Sequence, residues 1–149
     1  MELTPHQADL LKRSLGPLVA EAGRASQLFY GHLFRLAPET EALFINDMTR
    51  QGDKLMATLS QVILRIDTWQ AISTEVAEMG LRHTAYGVAP EHYHPTGEAL
   101  HLMLAEMLGE AYTPELREAW NTAYWALARA MIRAVEERKS ARARIAPAD

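Results

Sequence analysis

The chain contains no cysteine. Disulfides, thiolate nucleophiles, iron–sulfur clusters and a Cys-ligated haem are excluded at once, because each needs a thiolate. A reducing, cytoplasmic setting is compatible with that absence. The chain also lacks a strong charge of either sign: 15 Lys and Arg against 19 Asp and Glu leave a net charge of −4. Mild acidity argues against nucleic acid as the main partner, since phosphate binding needs a basic face. The one basic cluster, Arg138, Lys139, Arg142 and Arg144, reads as a solvated tail, with a membrane or RNA contact as the alternative. No apolar run approaches the roughly 20 residues of a membrane helix. Met1 to Gln7 shows no basic start followed by an apolar core, so no signal peptide is expected. The 8 glycines never fall as Gly-x-Gly, which removes the dinucleotide fingerprint and the phosphate loop. Gly-x-Ser-x-Gly is also missing, and the carboxylate pairs are scattered over polar faces.

What is there is a globular composition: 149 residues, 48% hydrophobic and 23% charged, enough for one domain with a real core. Thr4-Pro5-His6-Gln7 has the form of a capping box, with Leu11, Leu15, Leu18 and Val19 following at helical spacing. A second helix carries Phe29, Leu33 and Leu36 and should stop at Ala37-Pro38. Pro38 and Glu39 open a short helical turn ending near Phe44, and Ile45 to Arg50 reads as a loop. A helix is expected from about Arg50 to Ile66, another from Trp69 until Gly87 to Pro90 breaks it, a long one to Leu108, and a last one capped by Thr113-Pro114. No segment alternates with period 2 between hairpin turns. One all-α domain over residues 1–149 is expected, with a fraying basic tail from about 138.

His83 closes the stripe of Ile72, Val76 and Met79, and an imidazole at the end of an apolar stripe is unusual. It is either a half-buried side chain bonded to a nearby carbonyl or a ligand; a neutral nitrogen in a dry surround suits haem iron. Tyr30 and Gln51 punctuate apolar stripes on separate helices. They are rim polar residues or, facing one pocket, donors to an iron-bound species. Gly52 beside Gln51 allows close helix packing or marks a frayed start. Phe44 is ordinary core or a flat aromatic that stacks on a flat cofactor. His92, Tyr93 and His94 cluster after Pro90, but no acidic ligand stands at a standard zinc spacing.

These residues fall in an order that resembles a known pattern. Phe29-Tyr30-x-x-Leu33-Phe34 leads to Ala37-Pro38-Glu39, Leu43-Phe44 and Gln51-Gly52-x-Lys54-Leu55. Arg82-His83-x-x-x-Gly87-Val88, Glu91-His92-Tyr93 and Ala119-Trp120-x-x-Ala123-Tyr124 follow. The chain is similar to the globin family over nearly its whole length, and within it to bacterial single-domain haemoglobins and the haem domain of flavohaemoglobins. The resemblance implies a globin fold of helices around a haem pocket, with haem b as cofactor. His83 then corresponds to the proximal haem ligand and Phe44 to the phenylalanine that packs on the haem. Tyr30 and Gln51 correspond to the distal pair, and Leu55 to the apolar residue over the iron. Val88 and Leu100 match haem-contacting positions on the proximal side. Tyr93 matches a tyrosine that hydrogen-bonds near the proximal histidine, and Arg82 or Lys54 could reach a propionate. The segment between Phe44 and Gln51 is shorter than is usual in this subgroup. The glutamate of the last helix that joins the tyrosine and histidine in flavohaemoglobins falls at Val135, with Glu136 one residue later, a turn of about 100°.

The implied function is reversible binding of O2, NO or CO at ferrous haem. The alternative is NO dioxygenation with a separate reductase; a haem-based gas sensor and a haemless helical interaction protein rank lower. The expected assembly is a monomer or homodimer, with no nucleic-acid or membrane partner.

Overall fold

A computed structural model of the chain describes residues 3–44 and 47–145. Among these it is all-helical, with six α-helices linked by short 3-10 turns and no strand. Helix α1 (Pro5–Ala20) starts on the expected capping box. Thr4 Oγ1 accepts from the Gln7 N–H at 3.1 Å and Gln7 Oε1 accepts from the Thr4 N–H at 2.9 Å. Glu21 leaves the helical region (φ −124°, ψ 48°) and breaks α1 from α2 (Ala22–Leu36). Ala37 is extended because Pro38 follows it, and a 3-10 turn runs from Pro38 to Leu43.

Helix α3 (Met48–Leu64) begins earlier than the sequence suggested. Asp47 caps it, its carboxylate accepting from the Thr49 N–H at 2.9 Å. Met48 to Arg50 is the first turn of a helix, not loop, with Met48 half-buried against the first core and Thr49 and Arg50 exposed; Ile45 and Asn46 lie outside the described residues. A 3-10 turn over Ile66–Thr68 leads to α4 (Trp69–Ala85). Gly87, at φ +102°, supplies the left-handed residue that turns the chain away. The 3-10 turn Pro90–His92 opens α5 (Tyr93–Leu108), and α6 (Pro114–Ile145) is capped by Thr113, whose Oγ1 accepts from the Leu116 N–H at 3.2 Å. Helix α6 continues past Arg138, where fraying was expected. Arg, Lys, Ser and Ala tolerate or favour helix, and no Gly or Pro interrupts them before Ile145.

Two cores result. In the first, α2 packs on α5 and α3 while α1 packs on α6, burying Leu11, Leu18, Ile63, Met103, Leu104 and Trp120. Trp120 Nε1 donates to Ser14 Oγ at 3.1 Å, and that hydroxyl donates to the Leu11 carbonyl at 2.7 Å, so the buried indole has its partner. In the second, α4 lies along α6 around Ile72, Val76, Tyr93, Ala128 and Met131. Gly80 lets α4 approach the main chain of α6 at Met131, and Gly52 lets α3 approach Ser26 of α2. Val62, Trp69 and Tyr124 touch both cores, but α3 and α4 share no long packed interface. A seam therefore runs between them.

Candidate functional site

His83 stands in the last turn of α4, one turn beyond Met79. Ile72 and Val76 fix the helix face by burial, so the imidazole emerges at the end of the second core. With its proton on Nδ1, it donates to the Met79 carbonyl at 2.8 Å. Burial lowers its pKa; the Met79 hydrogen bond works the other way, and the neighbouring Arg82 adds to the lowering. The ring is thus held neutral, with Nε2 making no hydrogen bond among the described residues. The two readings left open by the sequence are compatible in this one geometry. The carbonyl bond on Nδ1 fixes the tautomer and orientation that a ligating Nε2 requires.

The chain then folds back on this histidine. The N–H groups of Tyr86 and Val88 both donate to the His83 carbonyl, at 3.1 and 3.0 Å. A Cβ on Gly87 would stand 3.0 Å from Leu43 Cδ2. The end of α4 therefore abuts the corner that carries Phe44.

Tyr30, on α2, is buried in an aromatic cluster. Its ring meets Phe44 edge-on at 5.1 Å and Phe29 edge-on at 5.1 Å, and stacks offset on Phe34 at 5.8 Å. Burial pushes its hydroxyl up to about 12, so at neutral pH it remains a donor. Leu100 is buried and Leu55 half-buried in this same first core. Gln51 is half-buried in the first turns of α3, and its side chain makes no hydrogen bond among the described residues. Tyr30, Phe44, Leu55 and Leu100 thus belong to one core, and Val88 and Tyr93 to the other, on whose helix His83 stands.

The proximal hydrogen bond implied for Tyr93 is not formed among the described residues. Its carbonyl accepts from the Tyr124 hydroxyl at 2.5 Å, while His83 Nδ1 is committed to Met79. Val135 and Glu136 both line a cavity of about 250 Å3 that Val88 and Tyr93 also line. Glu136 is exposed and bonds neither Tyr93 nor His83 among the described residues. A larger cleft, about 600 Å3, lies against Lys12, Asp67 and Trp69. Trp69 begins α4 and His83 nearly ends it, about 21 Å apart at 1.5 Å per residue, so that cleft belongs to another part of the molecule. His92 Nδ1 accepts from the Ala89 N–H at 3.0 Å, while His94 sits against Trp125 and Glu98.

One buried polar cluster escaped the sequence reading. His101 Nδ1 accepts from the Tyr112 hydroxyl at 2.5 Å and its Nε2–H donates to Asn121 Oδ1 at 3.1 Å. A lone histidine inside the apolar run Ala99 to Leu104 was the available signal. With both nitrogens bonded, it ties α5 to α6 and has no nitrogen to offer a ligand.

The sequence profile of the globin family matches residues 27–131. The chain is 32% identical over 136 residues to a flavohemoprotein of Vibrio cholerae, covering 87% of this chain and 34% of that protein. It is 33% identical over 133 residues to a flavohemoprotein of Deinococcus radiodurans, covering 87% and 33%. It thus spans about a third of the length of these curated relatives. Among solved structures, an engineered carbene transferase, built on a Rhodothermus marinus protein described as a "putative nitric oxide dioxygenase", superposes with a TM-score of 0.80 at 29% identity, covering 93% of this chain and 96% of that one. A bacterial globin from Campylobacter jejuni superposes with a TM-score of 0.78 at 20% identity, covering 92% and 99%, a likeness of fold.

Proposed function

Because the chain belongs to the globin family, whose standard cofactor is haem b, we propose that it holds haem b through His83 Nε2 and reversibly binds O2, NO and CO. The observation that carries this reading is the His83 imidazole: neutral, oriented by the Met79 carbonyl, and with Nε2 unbonded among the described residues. In this reading the flat apolar group would enter between α3 and α4, beside the Phe44 corner, where the two helices share few contacts. When bound, haem b supplies a ferrous iron with a coordination position for a diatomic gas.

The residues of the chain do the rest. His83 anchors the iron, and Phe44, Leu55, Val88 and Leu100 exclude water from the porphyrin faces. Tyr30 keeps its proton up to about pH 12 and donates a hydrogen bond to the gas ligand, with the Gln51 amide as a second donor. Such a bond to a strongly polar partner is worth roughly 1.5–3 kcal/mol. Arg82 and Lys54 are exposed and form no ion pair among the described residues, which leaves either cation for a propionate carboxylate.

The test is the absorption spectrum of the purified protein with and without added haemin, in oxidised, dithionite-reduced and CO-bound forms. The expected result is a Soret band that sharpens on CO binding, is lost or altered in His83→Ala, and is restored to that variant by added imidazole. A wild-type protein that takes up no haem would overturn the reading.

A second reading, NO dioxygenation, is supported by the likeness to flavohemoproteins and to the Rhodothermus marinus protein. It needs an electron supply to return the iron to its ferrous state. Sustained NO consumption in the presence of a generic reductase would favour it over simple binding.

A further inference from the structure

The face that α6 turns toward the second core changes character along its length. Ile132 and Val135 line the cavity of about 250 Å3 beside Val88 and Pro90, and two charges of opposite sign, Glu136 and Lys139, stand at the same cavity. Residues 132, 135, 139 and 142 recur at alternating spacings of three and four and so share one helix face. That face is apolar at Ile132 and Val135 and basic at Lys139 and Arg142. Arg138 follows Val135 by three residues and flanks it. From Glu136 to Ile145 every residue of α6 is exposed, a length of about 14 Å of helix.

The charge is segregated to match. Residues 138–145 carry Arg138, Lys139, Arg142 and Arg144 and no acidic residue. Since the chain holds 15 basic and 19 acidic residues, the remainder holds 11 and 19, a net charge of −8. None of the four basic side chains is ion-paired among the described residues. The cavity adjoins the His83 turn, because Val88, on its wall, donates its N–H to the His83 carbonyl.

We propose that this face docks an acidic electron-donor protein, an apolar side chain of the partner entering the cavity while its carboxylates meet Arg138, Lys139 and Arg142. The proposal rests on the haem reading and, within it, on NO dioxygenation, the reading that requires a source of electrons. An apolar pocket rimmed by charge is the anatomy of a protein interface. The remaining charge of −8 opposes an extended polyanion such as nucleic acid or an anionic bilayer, whereas a compact acidic patch meets only the basic end of the helix. Docking here brings the donor against the turn that follows His83.

The test uses oxidised flavodoxin, an acidic flavoprotein, titrated calorimetrically into the full chain at about 20 and about 200 mM salt, where screening lengths differ severalfold. The wild type is expected to bind at low salt and to lose about tenfold or more in affinity at high salt. Arg138→Glu/Lys139→Glu/Arg142→Glu is expected to lose about tenfold or more at low salt, from three exposed pairs of modest strength each. The triple Gln variant should fall between. Far-ultraviolet circular dichroism checks that the helix is retained. In haem-loaded protein, reduced flavodoxin should reduce the Glu variant about tenfold more slowly, while dithionite reduces both forms equally fast. Equal flavodoxin affinity in wild type and Glu variant overturns the proposal. So does absence of wild-type binding at low salt, or binding to single-stranded RNA or phosphatidylglycerol vesicles in place of flavodoxin. Failure to take up haem strikes the haem reading alone, since the titration does not depend on the cofactor.

Discussion

Gly80→Ala tests whether the α4–α6 crossing sets the position of His83. An Ala Cβ at position 80 would lie 2.6 Å from Met131 Cα, 2.6 Å from its carbonyl oxygen and 2.8 Å from its Cβ. Ordinary contacts begin near 3.4 Å, so the helices must part by on the order of 1 Å, because main chain cannot swing aside as a flexible side chain can. Against this, Ala is intrinsically better in a helix than Gly by about 1 kcal/mol. Forced overpacking costs typically 1–3 kcal/mol, occasionally more, and the clash here is with backbone at two atoms. Because the clash is with backbone, the upper part of that range applies, and subtracting the propensity gain leaves an expected net loss of about 1–2 kcal/mol, which for a chain of this size lowers Tm by about 2–8 °C. The control is Gly31→Ala: nothing lies within 4 Å of a Cβ there, and the exposed helical site should be neutral or up to about 1 kcal/mol more stable. Thermal denaturation followed at 222 nm reads both. Because Gly80 lies in the turn before His83, the haem-loaded variant should also show a shifted Soret band. If Gly80→Ala melts with Gly31→Ala, the crossing is not tight and the reasoning is wrong.

Other expectations follow from the same geometry. Gly52→Ala should cost less than Gly80→Ala, since the nearest atom, Ser26 Oγ at 2.6 Å, ends a side chain that can rotate; urea midpoints of the two variants decide this. Tyr30→Phe should raise the O2 dissociation rate about tenfold or more, measured by stopped-flow displacement with CO; an unchanged rate removes Tyr30 from ligand stabilisation. His83 and His101 both have pKa values lowered by burial. As pH falls below about 6.5 the unfolded chain takes up protons that the fold does not, so haem-free protein should lose stability on the acid side. His101→Leu should lessen that slope while destabilising the protein at pH 7 by leaving Tyr112 and Asn121 without their partner. On the alkaline side, Tyr30 and Tyr112 are raised to about 12. The unfolded chain therefore releases protons first, and stability should fall between about pH 10 and 12.

Much of the fold was legible because its punctuation is local. Thr4 with Gln7, Thr113 before Pro114, and Ala37 before Pro38 each act on backbone within a few residues, so sequence alone locates them. The start of α3 was misread because its first turn carries a single apolar residue, Met48, among exposed polar neighbours, and its cap, Asp47, lies outside the apolar stripe. The tight glycines could not be ranked from sequence: Gly80 and Gly31 both sit in helices, and only the neighbouring helix distinguishes them. For the candidate site, the stripe ending at His83 placed the imidazole at the rim of a core. The choice of Nδ1 for the Met79 carbonyl depends on ring orientation, which no spacing encodes. His101 could be noticed in the chain, but its partners are 11 and 20 residues away and only the packing of α5 on α6 brings them together.

The seam between the two cores bears on how a prosthetic group enters such a fold. Helix α4 is seated along α6, while α3 belongs to the other core and shares no long interface with it. Among the described residues only Val62, Trp69 and Tyr124 touch both cores, so a rigid planar molecule entering there would have few apolar contacts to displace. On the haem reading proposed above, a group held by His83 on α4 and packed by Phe44, Leu55 and Leu100 of the first core would add a further tie between the two cores. Cofactor retention and the cohesion of the tertiary structure are then a single quantity, and a variant that loosens one loosens both.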